Sequence, residues 1–226
     1  MLDWLACEIR DTGSLKQVHR LIVTSATYRQ SSQHNEKSAN VDGDNRLLWR
    51  MNRQRLDAES LRDTMLAVSG KLRSTMGGPG FDLFRFKDDH SPVYDHSDST
   101  RGDRPESWRR SIYRFTVRSV PNPFMECLDC ADPNINMPVR NSTLTALQAL
   151  ALLNDPFVIQ QAEYFAARLR EVSEDSAKQI DLAFRLALSR PASAEEVSSL
   201  AIYRAKHGLP ALCRLLMNAS DFTFVD

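Results

Sequence analysis

Acidic and basic residues recur at helical spacing around residue 60. Glu59 and Asp63 are four residues apart. Arg55 precedes Glu59 by four residues, and Arg62 follows it by three. Residues three or four apart lie on the same face of a helix, so these side chains are predicted to be neighbours. A carboxylate between guanidinium groups can bind a polar or acidic ligand and exchange a proton with it. The pattern is also typical of a structural ion-pair network.

This cluster, together with charged residues later in the chain, supports two hypotheses. The candidate acid and base groups are Glu59, Asp63 and Asp129. The candidate binding groups are Arg55, Arg62, Arg110 and Arg140. As an enzyme site they would act on a polar polymer such as a glycan, whose hydrolysis requires two carboxyl groups about 5 to 9.5 Å apart. As a structural cluster they would hold Glu59 buried, ionised and paired with arginines from more than one segment.

A second polar cluster lies in residues 88–98, which contain two imidazoles and four carboxylates. Oxygen and imidazole donors of this kind bind hard or borderline metal ions. The candidate metal ligands are His90, Asp95, His96 and Asp98. Their spacing matches neither a calcium-binding loop nor a helical pair of histidines, so a solvated polar loop is the preferred interpretation. No metal is therefore predicted.

The four cysteines do not form the pattern of a disulfide scaffold or of a cofactor site. Cys127 and Cys130 have C-x-x-C spacing, but Ala131 stands where attachment of a c-type haem requires histidine. A zinc ribbon would need a second pair at similar spacing. Neither haem nor zinc is expected at this pair, and no cofactor is predicted elsewhere. Cys7 and Cys213 are predicted to be small buried hydrophobic residues.

Arginines alternate with aromatic residues from Trp108 to Arg118, a combination that can stack on bases or sugars. However, 29 basic residues are balanced by 29 acidic ones, which argues against a nucleic-acid-binding protein. The preferred interpretation is a short strand around Ile112, Phe115 and Val117, with its arginines on the opposite face.

The periodicity predicts a mainly α protein of about six to eight helices. Capping signals occur at Ser14, Asp155 and Ser193. The expected helices span residues 15–30, 55–73, 143–153, 156–170, 174–188 and 193–206, with a last short one around 212–216. Residues 74–142 are expected to be irregular, with at most a short hairpin. The whole chain, 1–226, is predicted to be one helical domain, with N-terminal helices in 1–73 and C-terminal helices in 143–226.

Composition and the N-terminus limit the setting further. The chain is 42% apolar and 26% charged, enough to build a buried core, and it has no apolar run of the roughly 20 residues that a membrane helix needs. Residues 1–10 have no basic region followed by a long apolar stretch, so no secretory signal is predicted. They instead predict an amphipathic helix whose exposed apolar face has lost an upstream partner, as expected of a fragment. That face would consist of Leu2, Trp4, Leu5 and Ile9.

Several ordered blocks resemble domain of unknown function 1553, a planctomycete-type domain. They are SATYRQS (25–31), RLDAESLRD (55–63), VSGKL (68–72), RRSIY (109–113), PNPF (121–124), LDCADP (128–133), TLTALQAL (143–150) and CRLLMNASDF (213–222). The resemblance implies a domain that usually follows another uncharacterised domain, and often a cytochrome c-like domain, in large exported proteins. It therefore implies the cell envelope, with redox or polymer-degrading neighbours, although this chain has neither a signal nor a haem motif.

The leading functional hypothesis is a helical interaction or scaffold domain that docks a partner domain of a larger cell-envelope protein. One alternative is part of an enzyme that acts on a polar polymer through the three carboxylates named above. A second alternative is an accessory to a c-type cytochrome. The surroundings of Glu59 should discriminate the first two, since an open concave site favours chemistry and a closed ion-pair cluster favours a scaffold.

Overall fold

The computed structural model describes residues 1–87, 93–95 and 103–225. In these ranges the chain is mainly helical, as predicted, and no helix there combines the length and apolarity needed to cross a membrane. Eleven α-helices are present in the described chain. They are α1 (Leu2–Thr12), α2 (Leu15–Thr24), α3 (Glu36–Val41), α4 (Ala58–Val68), α5 (Pro123–Cys127), α6 (Ala146–Asn154), α7 (Pro156–Val172), α8 (Ser176–Leu188), α9 (Ala194–His207), α10 (Leu209–Met217) and α11 (Ser220–Thr223).

Local capping explains where α4 and α6 differ from the predicted bounds, whereas α2 ends at Thr24, six residues before the predicted end. Helix α4 begins only at Ala58, because the Asp57 side chain accepts a hydrogen bond from the backbone N–H of Ser60. It ends ahead of Gly70, whose φ of 79° lies in the left-handed region. Helix α6 begins three residues later than predicted, since Thr145 and Gln148 form a capping box.

The segment between α4 and α6 is mostly irregular, and its strands are short. Strand β2 (Arg85–Lys87) pairs in antiparallel fashion with β3 (Val93–Asp95), which confirms the expected hairpin. A second two-stranded sheet joins β1 (Gln54–Arg55) to β4 (Phe224–Val225). The strand predicted around Ile112 is wrong, because Ser111–Tyr113 is a 3-10 turn. The Ser111 backbone N–H and hydroxyl both donate to Asp63, which bends the chain there.

Two compact units are present, residues 1–54 with 225–226 and residues 55–224. In the larger unit, α7 packs against α4, α8 and α10. The fully buried apolar residues of this core include Leu61, Met65, Val158, Phe165, Leu169, Ile180, Leu212, Cys213 and Met217. Burial of Cys213 agrees with the prediction. Because each helix buries one apolar stripe, the packing follows directly from the 3.6-residue period.

The smaller unit contains a helix pair that buries little of its apolar surface. Helix α1 packs against α2, and Val18 is the one residue of the two helices that is buried. Leu2, Trp4 and Ile9 are exposed, as predicted, whereas Leu5 is partly buried. The prediction for Cys7 is wrong, because this cysteine is exposed on α1.

Candidate functional site

The carboxylate of Asp129 is the centre of a dense hydrogen-bonded cluster in the larger unit. Its Oδ2 accepts from the Thr143 backbone N–H at 2.7 Å, from Gln148 Nε2 at 3.0 Å and from Arg55 Nη1 at 3.3 Å. The Thr143 hydroxyl also donates to Asp129 Oδ1 at 3.0 Å. Arg55 Nη1 completes the cluster by donating to the Thr143 carbonyl oxygen at 2.7 Å. Asp129 thereby links the end of α5 to the start of α6.

These contacts stabilise the ionised form of Asp129. Burial of the carboxyl group opposes ionisation, but the hydrogen bonds from Thr143 and Gln148 and the charge of Arg55 outweigh it and lower the pKa of Asp129. The backbone of Asp129 is left-handed, with φ of 62°, a conformation that Asp and Asn tolerate better than most residues. The residue type therefore suits both the turn and the charge.

Glu59 forms a separate ion pair with Arg140. Arg140 Nη1 lies 2.6 Å from Glu59 Oε2 and 3.6 Å from Asp57 Oδ2. The hydrogen bond to Glu59 raises the pKa of Arg140. The Cys130 thiol donates to the other oxygen of Glu59, at 3.6 Å. A cleft of about 240 Å³ borders Arg140 and Asp129.

Two expectations about Glu59 are wrong. Its side chain is 26% exposed rather than buried, and Arg140 is its one ion-pair partner within the described chain. Arg55 pairs with Asp129 instead, because it precedes the N-cap Asp57 and therefore lies outside the helix on which the four-residue spacing was based. Helical spacing applies only within the helix itself.

Asp63 and Arg62 hold the segment around residue 110 against α4. Asp63 Oδ1 accepts from the backbone N–H and the hydroxyl of Ser111, both at 2.7 Å. Arg110 Nε lies 3.7 Å from Asp63 Oδ2, and the Arg110 side chain is 61% exposed. Asp63 and Arg110, both candidate site residues, thus form a loose ion pair.

Arg62 is almost completely buried, with 1% of its surface exposed. Its guanidinium donates to the carbonyl oxygens of Ser107 at 2.5 Å and Arg109 at 3.1 Å. It also lies over the rings of Phe81 and Phe157. Burial lowers the pKa of Arg62 to about 10, with Asp63 opposing the shift. These hydrogen bonds attach residues 107–109 to helix α4.

Several residues of this network were not identified from the sequence. Thr143, Gln148, Ser107 and Ser111 act through hydrogen bonds to distant carboxylates or guanidinium groups. The T-x-x-Q spacing at 145–148 is the sequence signal that could have indicated Gln148, since it marks a capping box. The other contacts join residues more than ten positions apart, and no local pattern encodes them.

The metal and cysteine predictions remain predictions. His90, His96 and Asp98 lie outside the described residues, and Asp95 closes strand β3. In the ranges that the structure describes, no group of three or more His, Cys, Asp or Glu side chains could hold a metal ion. Cys127 and Cys130 are both free and partly buried, and burial is the main cause that raises the pKa of each thiol.

Comparison with known proteins places the chain in a family. Neither a curated protein nor a solved structure matches it. One family model does match, that of PSD1, a protein of unknown function (DUF1553), and the match extends over residues 1–203. The ordered blocks of the sequence and this match over most of its length agree, and the chain belongs to the DUF1553 family.

Proposed function

We propose that this chain is a protein-interaction domain that binds a partner protein domain through the apolar faces of α1 and α2. The observation that carries the proposal is the exposure of those faces. Leu2 is 81% exposed, Trp4 54% and Leu15 63%, whereas the two helices together bury only Val18. Exposed apolar side chains that occur together on neighbouring helices are typical of an interaction site in a folded protein.

The candidate carboxylates support this function over the enzymatic alternative. Asp129 and Asp63 accept hydrogen bonds from backbone and side-chain donors, and Glu59 is held by Arg140. A general acid or base must be able to reach a substrate proton, and these oxygens are engaged by the protein itself. The cell-envelope setting, the glycan-directed enzyme and the cytochrome accessory stay predictions.

The proposal is tested by photo-crosslinking in the native host. A photoreactive amino acid replaces Trp4 in the full-length protein, and a matched position, Ile202, is replaced in a second sample. Ile202 is 74% exposed on α9 and lies outside the proposed surface. We expect a defined partner protein to be crosslinked from position 4 and not from position 202.

Binding of that partner to the purified chain then provides the decisive measurement. The double variant Leu15→Ser and Ile22→Ser removes two exposed apolar side chains of α2, and it should weaken binding at least about tenfold. The matched variant Leu147→Ser, exposed on α6, should bind like the parent chain. Crosslinks from position 4 that reach only other residues of the same chain would contradict the proposal, since the helix pair would then be covered internally.

A further inference from the structure

A second pocket, of about 250 Å³, lies close to Glu59 and is distinct from the cleft beside Asp129. Its wall comes from residues 83–84, 114–118, 120–122, 125–126 and 130–134. The apolar part of the wall consists of Leu83, Phe84, Phe115, Val117, Val120 and Met125. Polar groups of Arg114, Asn122 and Cys130 also line it. An apolar pocket with a few polar groups is the usual form of a small-molecule site.

Arg114 forms no ion pair within the part of the chain that the structure describes. Its one side-chain hydrogen bond to a described residue is from Nη2 to Cys130 Sγ at 3.6 Å, and sulfur is a weak acceptor. The Nε atom of Arg114 is buried and has no hydrogen-bond partner in residues 1–87, 93–95 and 103–225. Glu126 and Asp132 also line the pocket, but both are exposed and neither forms an ion pair with Arg114.

The groups around Arg114 do not supply the missing negative charge. Burial, and then the neighbouring Glu59 carboxylate, raise the pKa of Cys130, so the thiol is neutral at pH 7. Glu59 is itself paired with Arg140. Burial is the main cause that lowers the pKa of Arg62, and the positive charge of the nearby Arg114 lowers it further. A ligand carboxylate would therefore supply the acceptor and the negative charge that the Arg114 guanidinium does not find within hydrogen-bond distance among the described residues.

We propose that this pocket binds a small organic carboxylate, with its carboxylate group paired to Arg114 and its apolar part packed against Phe115 and Met125. Guanidinium groups bind carboxylates through strong charge-assisted hydrogen bonds. A cavity of about 150 Å³ accommodates benzene. A pocket of about 250 Å³ therefore has room for a ring and a carboxylate group.

The unaltered chain of 226 residues is tested first, by isothermal titration with phenylacetate, phenylacetamide and acetate. Phenylacetate should bind at a single saturable site. Phenylacetamide lacks the charge and acetate lacks the apolar part, so each should bind at least about tenfold more weakly. Equal binding of the acid and the amide would overturn the proposal, as would equal binding of acetate or the absence of saturable binding.

The variant Arg114→Gln assigns the binding to this guanidinium. It should retain the helical circular-dichroism spectrum and lose at least about tenfold in affinity for phenylacetate. Arg170→Gln makes the same charge change at an exposed position of α7, and it should bind like the parent. Undiminished binding by folded Arg114→Gln would overturn the proposal. If that variant does not fold, the difference between the affinities of phenylacetate and phenylacetamide for the parent chain decides whether the pocket binds a carboxylate.

Discussion

Two regions of the larger unit are held in place by different forces. One is the helical core of α7, α8 and α10, and the other is the irregular segment 103–145. The helices bury side chains such as Phe165, Ile180 and Leu212 completely. The segment is held by hydrogen bonds to Arg62 and Asp63 of α4. Its own Asp129 also accepts hydrogen bonds from Arg55 and Gln148, which lie outside the segment. Apolar burial is non-directional and tolerates small shifts. Buried polar contacts are directional, and the loss of one partner leaves the others unsatisfied.

The largest expected effect lies in the helical core. Phe165→Ala should lower the free energy of unfolding by about 3 to 5 kcal/mol, because the fully buried ring is replaced by a cavity. Ile202→Ala, at a residue 74% exposed on α9, should change it by less than about 0.5 kcal/mol. Urea unfolding followed by circular dichroism measures both. Similar effects at the two positions would contradict the assignment of the core.

The next effect tests the polar attachment of the segment. Arg62→Met replaces the guanidinium side chain by an unbranched apolar one, and so removes the hydrogen-bond donors to Ser107 and Arg109. It should cost about 2 to 3 kcal/mol in the free energy of unfolding, since buried carbonyl oxygens and Asp63 lose a partner. The exposed Arg110→Met should cost less than about 1 kcal/mol. If the two variants unfolded at the same urea concentration, Arg62 would not anchor the segment.

A smaller effect is expected at Asp129. Asn tolerates the left-handed backbone at this position. Its side chain, however, presents an N–H₂ group or a neutral oxygen to the donors that bind the carboxylate in the parent chain. Asp129→Asn should therefore cost about 1 to 2 kcal/mol at pH 7, measured by urea unfolding. Thr145→Ala, which removes the neighbouring helix cap but leaves Asp129 unchanged, is the matched control and should cost about 1 kcal/mol.

The pH dependence separates charge from shape at the same position. The pKa of Asp129 is lower in the folded chain than its ordinary value near 3.9. Its contribution to stability is therefore present above that unfolded pKa and is lost as the pH falls through the folded pKa. The difference in unfolding free energy between the parent and Asp129→Asn should shrink below about pH 4. A difference that is constant from pH 7 to pH 3 would show that the charge has no role.

The smallest effect is expected at Glu59. Its partner Arg140 is 47% exposed, so Glu59→Gln should cost about 1 kcal/mol or less in the free energy of unfolding. The cost should decrease with added salt, because an exposed ion pair is screened. Thermal unfolding at low and high ionic strength measures this, with Arg185→Gln on the exposed Asp181 pair as a control. A loss as large as that of Arg62→Met would mean that Glu59 is the anchor instead.

The predicted helix bounds were most accurate for the helices that pack one apolar stripe against the core. The mainly α architecture, the short hairpin and the irregular segment were all predicted, and helices α7, α8 and α9 begin and end within two residues of expectation. The predicted strand around Ile112 failed, since the turn at Ser111 depends on hydrogen bonds to Asp63, 48 residues earlier. Alternating apolar and polar residues predict a strand, but a hydrogen bond from a residue far along the chain can fold the same residues into a turn.

The sequence by itself determined the helices, their caps and the residue types available for chemistry, because these depend on neighbours within about four positions. Only the tertiary structure decided the pairing of those residues. It joined Arg55 to Asp129, Arg140 to Glu59 and Arg62 to backbone carbonyl oxygens. It also placed Arg114 in a pocket where no described residue forms an ion pair with it. The physical reason is that directional contacts between residues tens of positions apart depend on how the chain closes on itself.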